Sequence, residues 1–290
     1  MELKVNKIQL GLFVLIPLIP LILFWILPMI ASLLLSFTNW DYISPTYDVV
    51  GLKNYVDLLS GQAFKNALFQ TLYFTFFSVI PIIVLGFIVA VLIQKLSKSA
   101  GFARGLIFSP YITPMIGMSI VFSWLFNVQV GPINEVLGAL GLPQPNWFAQ
   151  SPQAMWVIII ITIWKNVGWA SIFYADAFSR IPSSLFEVAN VEGLSGWQKI
   201  RYVLIPLSSP TTVFLMIVST LDCLQAYDQI NVLTQGGPAG TTRTLLYLFY
   251  ELGFNQFNMG QATALAMVIL IISGILAFIL IRVSRKYTYY

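Results

Sequence analysis

Histidine is absent from all 290 residues. That excludes a histidine-ligated metal centre, an imidazole proton relay and any catalytic triad built on histidine. The single cysteine, Cys223, lies inside an apolar block, so there is no intrachain disulfide and no cysteine-rich metal site. Charge is scarce as well. Only 9% of residues are Asp, Glu, Lys or Arg, against about a quarter in ordinary soluble domains. With 58% apolar residues, the composition describes a polytopic membrane protein. No GxxxxGK(S/T) phosphate loop occurs, so the chain does not bind ATP by that route. The net charge of +4 comes from basic residues that flank apolar blocks and form no stripe, which speaks for membrane orientation and against nucleic acid.

A helix needs about 20 apolar residues to cross a bilayer, and the sequence offers such stretches at about 9–37, 68–93, 106–126, 154–174, 207–226 and 261–281. The expected fold is therefore all-α and integral to the membrane, with six transmembrane helices in a single domain, 1–290. Pro17, Pro20 and Pro28 predict kinks in the first span. Its apolar run, reaching about Leu35, is too long for a cleaved signal core and reads as a retained spanning helix.

A cytoplasmic N-terminus puts Lys4, Lys7, Lys95, Lys98, Arg104, Arg180, Lys199, Arg201, Arg282, Arg285 and Lys286 inside. Only Lys53, Lys65 and Arg243 then fall outside, with Lys165 left within a span. This bias predicts that both termini and the loop after the fourth span are cytoplasmic. Among the outer loops, the first carries an amphipathic patch at Leu52 to Leu59, the second a short apolar run at Val136 to Leu142, and the third a tight turn at Gly236, Gly237 and Pro238.

The one extended polar stretch between apolar blocks is Ile181 to Pro206, IPSSLFEVANVEGLSGWQKIRYVLIP. Ser184 with Glu187, and Ser195 with Gln198, predict two consecutive capping boxes. Gly193 fits the stop of the first short helix and Pro206 that of the second. Leu185, Val188 and Val191, then Trp197, Ile200 and Leu204, recur at helical spacing, giving each helix one apolar face suited to docking. Taken alone, Glu187 and Gly193 serve equally as the cap and stop of an ordinary amphipathic hairpin.

Glu187, Val188 and Ala189, followed after three residues by Gly193 and later by Pro206, resemble the EAA loop of the inner-membrane subunits of bacterial ABC importers. Val188 stands where that pattern prefers Ala, and Glu192 where it prefers Asp. The segments SFTNWD, VGLKNYVDLL, SPYITPMIGMSIVFSWLFN, GPINEVLGALGL, WKNVGW and LTQGGP with TRTLLYLFYELGF look like the carbohydrate-uptake branch, which includes permeases for maltose, glycerol-3-phosphate and oligosaccharides. The resemblance runs over nearly the whole chain.

It implies a permease subunit that moves a sugar, expected to be an oligosaccharide, into the cytoplasm by alternating access. The implied setting is the bacterial inner membrane. The implied partners are a second, homologous permease, two ABC ATPases that bind the ATP and Mg, and an extracytoplasmic sugar-binding protein. Glu187, Ala189, Glu192, Gly193 and Pro206 would form the cytoplasmic coupling hairpin between spans four and five. The chain itself would bind no cofactor and no metal and hold no catalytic residue.

Polar side chains within spans are costly unless they face a partner or water, so they nominate a pathway. Thr162, Lys165, Asn166 and Trp169 share one face of the fourth span. Ser219, Asp222 and Cys223 share one face of the fifth, with Gln225 and Tyr227 close by. Amide and carboxylate groups suit sugar hydroxyls, and aromatic rings suit the apolar sugar face. The bland alternative is that Lys165 pairs with Asp222 and Trp169 sits in an interfacial belt. A broken and re-formed Lys165 to Asp222 pair would be one way to bias alternating states.

The rival from another class is an ion-coupled secondary transporter of a small polar solute. It needs intramembrane carboxylates, of which Asp222 alone is deep enough, and no inverted repeat is apparent. A membrane enzyme would need a cluster of acid, base and nucleophile, and none is present.

Overall fold

The computed structural model describes residues 7–94, 96 and 100–287. Lys4, Lys95 and Lys98 of the orientation argument lie outside the described residues. Among these residues the chain is helical, with an isolated antiparallel bridge between Thr38 and Val49. In order come α1 (Lys7–Leu21), a π turn (Ile22–Ile26), α2 (Leu27–Leu35), α3 (Lys53–Ser60), α4 (Gln62–Gln94), α5 (Ala100–Ile112), α6 (Met115–Leu125), α7 (Pro132–Ala139) and α8 (Gln153–Ser179). Then follow α9 (Ser183–Val191), α10 (Gly196–Lys199), a second π turn (Ile200–Leu204), α11 (Ile205–Leu207), α12 (Ser209–Leu224), α13 (Asp228–Leu233), α14 (Leu245–Tyr250), a third π turn (Glu251–Asn255) and α15 (Met259–Tyr287).

Residues 15–35, 62–94, 153–179 and 259–284 are each one helix long and apolar enough to cross a membrane. The other two expected spans differ from the sequence reading. The stretch 106–126 is no single straight helix: α5 and α6 meet at 93°. The residue before a proline is driven out of the helical region, and Thr113 precedes Pro114, whose ψ of 135° is extended. Likewise residues 196–207 and α12 meet at 65°. Among the described residues, four helices are long and apolar enough to cross, or up to six if each bent pair is counted as one span.

The prolines of the first expected span behave otherwise, since residues 15–35 stay one helix. A proline ring crowds the carbonyl four residues before it. For Pro28 that is Phe24, inside the first π turn, where Leu27 N–H donates to the Ile22 carbonyl and the widened backbone makes room. Pro206 repeats the arrangement. Tyr202 lies in the second π turn, and Ile205 N–H donates to the Ile200 carbonyl.

Two compact units are present, Met1–Gly61 with Phe249–Leu270, and Gln62–Leu248 with Ile271–Tyr290. In the first, the expected amphipathic patch is α3, which buries Asn54 and Leu58. The Asn54 amide donates to the carbonyls of Ser36 at 2.9 Å and Thr38 at 2.7 Å. Gly260 N–H donates to the Trp40 carbonyl at 3.0 Å. Beyond the α2 end, the Asp41 carboxylate accepts from Ser44 N–H at 2.7 Å, and these turn bonds hold it below its ordinary pKa. Residues of α2 are not buried within the chain, and Phe24 and Trp25 are exposed, as befits a helix facing lipid or another subunit.

The second unit is built on the packing of α4 against α8. Phe74 and Ile82 of α4 join Ile158 and Ile161 of α8 and Leu215 of α12 in its core. Small residues let backbones approach: a Cβ at Gly86 would lie 2.6 Å from that of Ala170. At Gly168 it would overlap the Ile107 carbonyl oxygen of α5, which is backbone and has nowhere to go. Gly168→Ala is therefore expected to destabilise the protein by about 1–3 kcal/mol. A lowered thermal midpoint in detergent checks this, and an unchanged one would mean that α5 and α8 do not pack so closely.

The segment after α12 is tied back to α4. Thr71 Oγ1 accepts from Leu245 N–H at 2.8 Å, the Asn66 amide donates to the Gly240 carbonyl at 3.0 Å, and Thr244 Oγ1 donates to the Ala226 carbonyl at 2.8 Å. The expected turn at Gly236 to Pro238 is closed by Gly237 N–H donating to the Thr234 carbonyl at 2.9 Å.

Candidate functional site

The hairpin between α8 and α12 starts differently from the sequence reading. Ser184 and Glu187 form no capping box. Helix α9 opens at Ser183 behind Pro182, whose extended ψ of 134° makes it the N-cap, so Ser184 already lies inside the first turn. Its end follows expectation. Gly193 has φ of +71°, Leu194 N–H donates to the Ala189 carbonyl at 2.9 Å and Gly193 N–H to the Asn190 carbonyl at 3.1 Å, the paired bonds of a Schellman motif. The second box forms: Ser195 Oγ accepts from Gln198 N–H at 3.3 Å, and Gln198 Oε1 accepts from Ser195 N–H at 2.7 Å.

Lys199 Nζ donates to Asn190 Oδ1 at 2.6 Å and links the two short helices. Pro206 does not stop the second helix. The run continues to Leu207 and breaks at Ser208, because the π turn accommodates the proline ring. Ala189 is buried and Phe186 packs on the core, so the other apolar residues of α9 point away. Val191 is 90% and Trp197 67% exposed, and Leu185, Val188, Glu187, Glu192 and Gly193 are exposed too. The hairpin thus presents an uncovered apolar face with acidic residues among it.

Further along the same unit, a cavity of about 580 Å³ is lined by Thr162, Lys165 and Asn166 of α8 and by Asp222, Cys223, Gln225 and Tyr227 at the end of α12. That size falls in the range of small-molecule sites, about 300–1,000 Å³. Two expected pathway residues lie elsewhere. Trp169 stands behind Tyr111, their rings stacked at 5.8 Å and 18°, and Ser219 is buried outside the lining. Sequence reasoning missed Tyr111, Met115, Asp228 and Gln229 of the lining. The signal for the first two was the proline pair Pro110 and Pro114, which breaks the third span and turns Tyr111 and Met115 toward α8.

Lys165 explains how the break is held. Its Nζ donates to the carbonyls of Pro110 at 3.3 Å, Tyr111 at 2.8 Å and Thr113 at 2.6 Å, and lies 5.5 Å from the Tyr111 ring centroid. These carbonyls lose their helical partners where α5 ends, and a cation at a helix C-terminus satisfies both their bonds and the helix dipole. Lys165 is therefore not paired with Asp222, unlike Arg180, which pairs with Asp176 at 2.8 Å. The Asn166 amide donates to the Thr162 carbonyl at 2.8 Å. No group of three or more His, Cys, Asp or Glu among the described residues is placed to hold a metal ion.

A helical membrane protein with bent spans, a polar cavity at the end of α12 and an amphipathic hairpin before that helix has the features of a membrane permease. Residues 68–286 match the family described as binding-protein-dependent transport system inner membrane component, and the chain belongs to that family. It is 28% identical over 289 residues to the trehalose/maltose transport system permease protein MalF of Thermococcus litoralis, covering 98% of this chain and 97% of that one. It is 30% identical over 282 residues to the multiple sugar-binding transport system permease protein MsmF of Streptococcus mutans, covering 97% of each. A crystal structure of a bacterial ABC transporter involved in import of the acidic polysaccharide alginate superposes with a TM-score of 0.85 at 22% identity, covering 97% of this chain and 96% of that one. That likeness establishes the shared fold.

Proposed function

We propose that this chain is the membrane-spanning permease subunit of an ATP-driven ABC importer for a sugar, an oligosaccharide, that a binding protein delivers from outside. The observation that carries the reading is a cavity of hydroxyl-seeking and aromatic groups on the two helices that flank the EAA segment, in a chain related over its full length to sugar permeases. Its partners are a second permease, two ABC ATPases that bind ATP and Mg, and the binding protein. The setting is the bacterial inner membrane.

In this reading 1–290 is one permease domain of six spans, with each bent pair crossing once and both termini cytoplasmic. The basic residues on one side of the spans support that orientation. The hairpin then faces the cytoplasm. Its uncovered apolar face docks into an ATPase, with Glu187, Glu192 and Gly193 at the contact, Ala189 seating α9 on the core, and Pro206 shaping the run into α12. Closure of the ATPases moves the hairpin and, through residues 196–207, the α12 end of the cavity. Thr162, Lys165, Asn166, Asp222, Cys223, Gln225 and Tyr227 border the path, with Trp169 and Ser219 behind it. An ion-coupled transporter is not favoured, because the family is binding-protein-dependent.

The test is ATPase activity of the whole complex in bilayers with a panel of sugar-loaded binding proteins. Stimulation by one saccharide supports the reading. Stimulation by none, with transport driven instead by an ion gradient, would overturn it.

A further inference from the structure

The charge of the cavity lining bears on which saccharides pass. Three charged residues line it: Lys165, Asp222 and Asp228. The ammonium of Lys165 carries three N–H groups, and its three bonds go to the carbonyls of Pro110, Tyr111 and Thr113. It is thereby occupied at the end of α5. Asp222 closes the last turn of α12 and has no ion-pair partner among the described residues, and Asp228 opens α13 across the same space. One N–H of the Asn166 amide goes to the Thr162 carbonyl. The cavity thus holds two carboxylates against one ammonium that is already engaged, beside the neutral amides of Asn166, Gln225 and Gln229.

Resting on the sugar-permease reading, we propose that this cavity takes neutral or amino-bearing saccharides and excludes uronic-acid saccharides, with Asp222 as the specificity-determining residue. Sugar hydroxyls and ammonium groups donate to the lining, whereas a cargo carboxylate would meet Asp222 and Asp228 with Lys165 already engaged. Like charges brought together are disfavoured, so discrimination comes from repulsion as much as from attraction.

The intact complex of both permeases and both ATPases in nanodiscs, without the binding protein, is titrated at low salt with three trisaccharides: a neutral glucan, a glucosamine trimer and a uronic-acid trimer. The native complex is expected to bind the uronic-acid trimer at least about tenfold more weakly than the other two. Asp222→Asn, which keeps the shape and removes the charge, should erase most of that gap, while added salt narrows it in the native protein. Equal binding of acidic and neutral trimers by the native complex would overturn the proposal without any variant. So would a gap that both Asp222→Asn and Asp228→Asn leave unmoved. Asn166→Ala separates the two ideas: if it weakens all three trimers, the cavity is the saccharide site and only the charge rule is on trial. If it weakens none, the cavity is not the site and the charge rule falls, while the permease reading is decided by the ATPase test.

Discussion

Gly193→Asp should reduce binding-protein-stimulated ATPase activity and transport by about 30-fold while the protein still folds and assembles its spans. The local cost is small, because a Cβ at Gly193 meets nothing within 4 Å, and the penalty is that of a left-handed residue, φ of +71°, about 1–2 kcal/mol. The expected loss of coupling is larger, because Gly193 lies exposed in the proposed docking face beside Val191, 90% exposed, and removing one central contact of an interface typically costs about 2 kcal/mol or more. Comparing stimulated and basal ATPase rates in one preparation reads the difference. If stimulation survives, the hairpin is structural and coupling runs elsewhere.

Lys165→Met is expected to be the second severe substitution. It keeps the apolar stem but strips the carbonyls of Pro110, Tyr111 and Thr113 of their donor at the break between α5 and α6. Leaving such acceptors unpaired costs about 1–3 kcal/mol. If that falls on the transport-competent arrangement, about 2 kcal/mol corresponds to about a 30-fold lower rate. Lys165→Arg, which keeps charge and donors, should retain most of the activity. Transport assays of both variants decide the matter. Native rates in Lys165→Met would show that the break holds without the ammonium, and would also remove any role for a Lys165 to Asp222 switch.

Much of this protein was legible one residue at a time. Apolar runs marked the helices at 62–94, 153–179 and 259–284 to within several residues, because the hydrocarbon core requires length and hydropathy and little else. Gly193 as a helix stop and the Ser195 to Gln198 box were legible because caps are local chemistry, set by residues within one turn. Thr162, Lys165 and Asn166, with Asp222 and Cys223, were legible as helix faces, since their spacing alone puts them on one side.

Other features followed from context that spacing does not carry. Ser184 has the right partner three residues on, but Pro182 begins the helix before it. The 106–126 run is continuous in hydropathy, so its 93° break is invisible to a composition window and depends on where Thr113 and Pro114 leave the helix. Pro206 reads as a stop until the π turn before it makes space for its ring.

The sequence by itself therefore determined the class of protein, the main helical runs, the hairpin's closing caps and the polar faces, all properties of neighbours along the chain. Only the tertiary structure decided what those faces meet. It gave Lys165 to three carbonyls 52–55 residues away and left Asp222 facing the cavity, put Trp169 behind Tyr111, and brought Asp228 and Gln229 to the lining. The reason is physical: a charge within a span takes whichever partner the packing of distant helices brings within hydrogen-bond reach, and no local pattern encodes that distance.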